Sequence, residues 1–168
     1  MKKILLTWYG ITDLRASFEI EYSNGPVFSA LMAENYADVL ILGFTNKEKN
    51  NTNEEDFKKE LLESQIAFKE NRQFDIWSFI NKYSNTDLAH NHFITWIKQK
   101  LKSEEIITGV NIHTVELNHL NDTEGIYDIA VQVLDIVEKW KVEKEVFLYL
   151  SPGTPVMAFV WAFAALRY

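Results

Sequence analysis

EVFLYLSPGTPVM, residues 145–157, joins two opposed patterns. Glu145 to Leu150 is a strongly apolar run of strand formers with little polar alternation, so both of its faces are expected to be covered. Ser151-Pro152-Gly153-Thr154-Pro155 breaks that run, and an apolar helix follows to the end of the chain. Pro155 suits the first turn of a helix, where a missing N–H costs nothing. A buried strand turning directly into a buried helix is the repeating half of a parallel α/β unit.

The rest of the chain repeats the theme. Ile4 to Trp8 is a short apolar strand stopped by Gly10, and Asp38 to Gly43 is a second. Residues 9–24 read as a long loop or irregular segment, after which Gly25-Pro26 opens a helix with Val27, Ala30 and Leu31 on its apolar face. Residues 46–56 are almost wholly polar and predict an exposed loop feeding a helix at about 54–71. Phe74 to Tyr83 predicts a short helix, and Thr86-Asp87 caps another to about Lys102, with Phe93, Trp96 and Ile97 facing inward. Val110 to Leu117 alternates like a strand, but its phase changes at Thr114-Val115 and leaves its facing open. Asp122-Thr123 caps a helix to about Lys141.

This order predicts an α/β domain: a Rossmann-like, mostly parallel sheet with helices on both faces, built by right-handed crossovers. The helices between about 54 and 102 exceed a simple crossover and read as a helical insertion. With 168 residues, no internal repeat and no compositional break, residues 1–168 form one expected domain. The final helix, Val156 to Leu166, is apolar all round, which predicts burial on every side. The sheet would cover one side. A two-fold partner, a further C-terminal segment or the 54–102 helices would cover the other.

Composition removes several functions. Seventeen Lys and Arg against 24 Asp and Glu leave a net charge of −7, which argues against wrapping a DNA duplex. A small anion held on backbone amides is still compatible with that charge. The chain has no Cys, so disulfides, thiolate chemistry and Cys-ligated zinc are out. The N-terminal apolar run is too short for a signal peptide, and Val156 to Leu166 is too short for the roughly 20 residues of a membrane span. A soluble cytoplasmic protein with no membrane partner is expected. His90 and His92 lie two apart on a helix and point away from each other, so no metal or cofactor is expected there. Glu54, Glu55 and Asp56 are most simply the acidic first turn of a helix. Neither a GxxxxGK[ST] loop, a GxGxxG fingerprint nor a GxSxG elbow is present, so no catalytic residue is assigned.

In an open α/β sheet, ligands bind beyond the carboxyl ends of the strands, and two loops there carry unusual chemistry. After the first strand, Trp8, Tyr9, Gly10, Thr12, Asp13 and Arg15 put aromatic rings, a hydroxyl, a carboxylate and a guanidinium together. Aromatic rings stack on bases and Arg forks onto phosphate. The same residues also fit Trp8 and Tyr9 packed under a helix, with Asp13 and Arg15 paired at the surface. After the last strand, Ser151, Pro152, Gly153, Thr154 and Met157 offer hydroxyls, a close backbone approach and a helix N-terminus, or simply form a strand-to-helix turn.

The LSPGTPVM segment (150–157), set between an apolar strand and an apolar helix, resembles the signature that closes CARF domains, the CRISPR-associated Rossmann-fold sensors. TWYGITDLRAS (7–17) looks like the matching loop after strand one, and Pro152 in place of a glycine resembles the sensor of the RNA-terminal-phosphate-cyclase operon regulator and of CARF–adenosine deaminase effectors. The resemblance implies a homodimer that binds a cyclic oligoadenylate of four or six adenosines, the second messenger of type III CRISPR antiviral defence. It implies allosteric activation of a fused effector that is absent from these residues, in a dimer or a higher oligomer. Carried over by position, Gly10, Thr12, Asp13, Arg15, Ser151, Gly153 and Thr154 would line the ligand. Two other readings stay open: a ring nuclease that slowly cleaves the cyclic oligoadenylate without metal, and a sensor of RNA ends carrying a cyclic phosphate.

Overall fold

The computed structural model describes residues 1–49 and 51–168; Asn50, inside the expected 46–56 loop, lies outside the described residues. Four strands, β1 (Lys2–Trp8), β2 (Asp38–Thr45), β3 (Gly109–Glu116) and β4 (Lys144–Tyr149), form one sheet of order β3-β2-β1-β4, with every neighbouring pair parallel. Among the described residues, seven α-helices connect and cover them: α1 (Ile11–Ser17), α2 (Pro26–Ala33), α3 (Glu54–Lys69), α4 (Ile76–Tyr83), α5 (Asp87–Ser103), α6 (Thr123–Glu138) and α7 (Pro155–Ala165). This is the Rossmann-like α/β fold expected of the sequence.

The period-two geometry of the strands sorts their side chains into two cores. Leu5, Val39 and Ile41 face one core with residues of α1 to α5, including Phe18, Tyr83 and Phe93. Ile4, Leu6, Trp8, Leu40, Leu42 and Phe44 face the other with α6 and α7, including Val133 and Trp161. The middles of both central strands, Ile4 to Leu6 and Val39 to Leu42, are therefore continuously apolar because each face is covered. β3 spans the change of phase noted in its sequence: Val110 packs against the first core and Val115 against the second.

The crossovers reverse direction once. From β1 the chain moves outward through β2 to β3 on the α1–α5 side, then α6 carries it back on the opposite side to β4, next to β1. The gap between the ends of β1 and β4 is thus the switch point of the topology, where open α/β sheets hold ligands.

Three differences from the sequence reading have local causes. Residues 9–24 are not wholly irregular, because α1 forms there: Asp13 Oδ2 accepts the Gly10 N–H at 2.9 Å and closes the first turn, while Leu14 and Ala16 supply the buried side. Within the polar loop, Lys47–Lys49 form a single 3-10 turn. The last helix is not buried on every side. Met157, Val160, Trp161 and Ala164 are inside, whereas Phe159, Phe163 and Leu166 are 71%, 60% and 84% exposed. Hydrophobicity without periodicity in α7 shows that no face is polar; it does not show what covers each face. Among the described residues, no helix is long and apolar enough to cross a membrane.

Candidate functional site

The ends of β1 and β4 stand side by side, as parallel pairing of Thr7 with Tyr149 requires. Just beyond, the two loops meet. A Cβ at Gly10 would stand 3.2 Å from the Gly153 amide nitrogen, so any side chain there would press the two loops apart by a few tenths of an ångström. Gly153 has φ +90°, a backbone state that penalises any side chain, and a Cβ on it would lie 3.2 Å from both Met157 Sδ and Trp8 Cβ. Above this junction opens a cavity of about 390 Å³, within the range of small-molecule sites. Every residue expected at the site lines it except Arg15.

The β4 side is open chemistry. Ser151 and Gly153 are exposed, and Thr154 is half-buried. Thr154 is the N-cap of α7, its Oγ1 accepting the Met157 N–H at 3.2 Å. With Pro155 lacking an N–H, the amides of Gly153, Thr154 and Val156 are the donors available at this helix start. The partial positive charge of the eleven-residue helix favours an anion beside them.

The β1 side is largely committed, although Thr12 lines the cavity exposed. Asp13 is 1% exposed and spans two turns: Oδ2 accepts from Gly10 N–H, and Oδ1 accepts from Val27 N–H at 2.8 Å at the start of α2. Burial drives its pKa up to about 6, against the two amide hydrogen bonds that favour the charged form, with repulsion from Glu21 adding to the rise. Trp8 is buried edge-on against Trp161, with ring centroids 6.1 Å apart. Tyr9 stacks on Phe93 at 4.3 Å and is hydrogen-bonded through its hydroxyl to His90 Nδ1. The Trp8–Tyr9 pair therefore packs inside, as the alternative reading of this loop has it. Asp13 and Arg15 do not pair with each other. Arg15 Nε lies 3.2 Å from Glu21 Oε2, and its guanidinium rests 5.6 Å above the Trp77 ring, away from the cavity.

Sequence reasoning missed what lies behind and opposite this loop. His90, 2% exposed on α5, links Tyr9 to Thr45 Oγ1, which is 2.9 Å from Nε2. Burial lowers its pKa to about 4, so it is neutral at pH 7, able to donate from one nitrogen and accept at the other. Gly43 makes the space: a Cβ there would meet His90 and the Tyr9 ring at 3.0 Å. A glycine inside an otherwise bulky strand was the one available signal of a side chain arriving from elsewhere. His92 faces a different partner, with Nε2 2.8 Å from the Ser17 carbonyl oxygen. The remaining wall comes from Ile11, Leu14, Pro26, Phe44 and Leu120, and from Ser84 and Asn85 in the turn between α4 and α5.

No protein-family model matches the sequence, and no curated protein matches it. Among solved structures, the chain is similar to Enterococcus italicus Csm6, a structure described as bound to cyclic hexa-2'-fluoro-hexa-dAMP, with a TM-score of 0.63 and 16% identity. The match covers 99% of this chain and 31% of the Csm6 chain, so this chain spans about a third of that protein's length. At this identity the likeness speaks for the Rossmann-like α/β fold alone.

Proposed function

We propose that the chain is a sensor module that binds a cyclic oligoadenylate at the β1–β4 switch point. The observation that carries the reading is the cavity itself: glycine-lined tips of two adjacent parallel strands beside the open N-terminus of α7, in a fold similar to a protein solved with a cyclic hexanucleotide. Phosphates sit on the amides of Gly153, Thr154 and Val156 and on the Ser151 hydroxyl, with no contribution from Arg15. With Trp8 buried against Trp161 and the half-buried Tyr9 ring stacked on Phe93, the apolar walls formed by Ile11, Leu120 and Phe44 are left to take a base.

A volume of about 390 Å³ suits a drug-sized ligand and falls short of a ring of four or six nucleotides. The ring is therefore shared between two copies. The exposed Phe159, Phe163 and Leu166 support a two-fold interface, because they recur along the outer face of the helix whose first turn belongs to the site. Ligand binding at that interface is transmitted to an effector elsewhere in the assembly.

The test is calorimetric titration with cyclic tetraadenylate and cyclic hexaadenylate, alongside linear RNA ending in a cyclic phosphate. Nanomolar-to-micromolar binding of a cyclic ring, with a raised melting temperature, is expected. Binding of the linear RNA alone would replace this reading with the RNA-end sensor. Chromatography of the same mixtures reports whether linear oligoadenylates accumulate, the outcome of a ring nuclease. Light scattering on the chain and on Phe163→Asp reads the dimer, which the substitution is expected to dissociate.

A further inference from the structure

We infer that the turn between α4 and α5 is the base-reading wall of the site, with the Asn85 carboxamide recognising the adenine edge and the Ser84 hydroxyl assisting it. This rests on the reading that the ligand is an adenine nucleotide. The turn belongs to the helical insertion, which a simple β2-to-β3 crossover does not need, yet it reaches the cavity at the far end of the sheet.

Its backbone is fixed from several directions. The Asn85 carbonyl accepts the Asn46 N–H at 2.9 Å, tying the turn to the end of β2. Ser84 N–H donates to the Ile80 carbonyl at 2.8 Å and closes α4. Thr86, fully buried, caps α5 and donates its hydroxyl to the Tyr83 carbonyl at 2.7 Å. Asn85 itself sits at φ 61°, the left-handed region where asparagine is better tolerated than most residues.

The side chains, by contrast, are unspent. Neither the Ser84 hydroxyl nor the Asn85 carboxamide has a hydrogen-bond partner among the described residues, although Ser84 is only 4% exposed and both line the cavity. A fixed backbone carrying free polar groups into a largely apolar cavity is the arrangement of a specificity element. The chemistry of a carboxamide narrows the choice. Its oxygen accepts and its nitrogen donates side by side, matching the N6 amino group and adjacent ring nitrogen of adenine. The Gly153–Thr154 amides offer donors only, so the cavity has an anion side and a base side.

The experiment compares cyclic hexaadenylate and cyclic tetraadenylate with the corresponding inosine rings, whose C6 oxygen accepts where the adenine amino group donates. Asn85→Gly is the principal variant, because glycine keeps the positive φ and removes only the carboxamide. The native chain is expected to prefer the adenine ring by ~10-fold or more. Asn85→Gly is expected to lose that preference while retaining weakened binding and an unchanged circular dichroism spectrum. Ser84→Ala is expected to narrow the preference without abolishing it. An undiminished preference in Asn85→Gly, or no preference in the native chain, overturns the inference while leaving the sensor reading intact. A native chain that binds neither ring overturns the sensor reading, and this inference with it.

Discussion

The two strand tips that meet at the switch point face the same cavity but have spent their polar groups differently. At the β1 tip, the Gly10 amide goes to Asp13 and the Tyr9 hydroxyl to His90, while the Trp8 ring packs on Trp161 and its buried indole N–H is left without a hydrogen-bond partner among the described residues. At the β4 tip, Ser151 and Gly153 stay exposed, and the Thr154 hydroxyl is engaged in capping α7. The first tip is a scaffold and the second is a presented surface. Residues rich in functional groups are therefore not the best guide to a binding site; what matters is which groups the fold has left unsatisfied.

The sharpest way to break this contrast is at Gly153. Gly153→Val should reduce cyclic oligoadenylate affinity by more than ~100-fold, because it adds bulk at φ +90° against Met157 and Trp8 and fills the approach to the amides. Calorimetry checks it, with circular dichroism confirming that the sheet persists. On the scaffold side the expected damage is to folding. Asp13→Ala leaves two amides without their acceptor, one of them buried, and should cost about 3 kcal/mol in urea unfolding.

Titration gives a third handle, with two buried groups pulling in opposite directions. Asp13 ionises at about 6 in the fold and near 3.9 when unfolded, so the native state holds the extra proton between these values. Its contribution to stability is full below the unfolded pKa and lost as pH rises through about 6. His90 titrates at about 4 in the fold and near 6.5 unfolded. Its contribution is full above the unfolded value and lost as pH falls towards about 4. His92 and His113, lowered by burial, act in the His90 direction. Melting temperatures measured from pH 4 to 6.5 should therefore rise more steeply with pH in Asp13→Asn than in the native chain, and less steeply in His90→Gln. The smallest effect expected is at Arg15. Arg15→Ala should change ligand affinity by less than about twofold, since the guanidinium is held by Glu21 and Trp77 and lies away from the cavity. A larger loss, measured by calorimetry, would return Arg15 to the site.

The strands were legible because β1 and β2 carry uninterrupted apolar runs, Ile4 to Leu6 and Val39 to Leu42, a pattern that a doubly covered sheet rewards. Thr86 and Asp122 announced two helices through their capping side chains, each of which accepts an amide hydrogen in the structure. α1 was hidden because it is only seven residues long and starts from a glycine, with Asp13 doing the capping from within the first turn. The β4 tip and most of the β1 tip could be placed from the chain order alone, since both follow the carboxyl ends of parallel strands. Ser84 and Asn85 could not. They lie about 70 residues from either tip, and only the docking of the insertion onto Asn46 brings them to the cavity. The fate of Arg15 was equally out of reach, because Glu21 and Trp77, its partners, come from segments with no periodic signature linking them to α1.

The walls of the cavity come from both layers that the sheet separates: α1 and the α4–α5 turn from one, α7 and Phe44 from the other. On the sensor reading proposed above, an occupant seated there would touch both layers at once, a keystone between the two half-cores. Any tightening it caused would adjoin α7, on whose outer surface Phe159 and Phe163 stack on each other in the open.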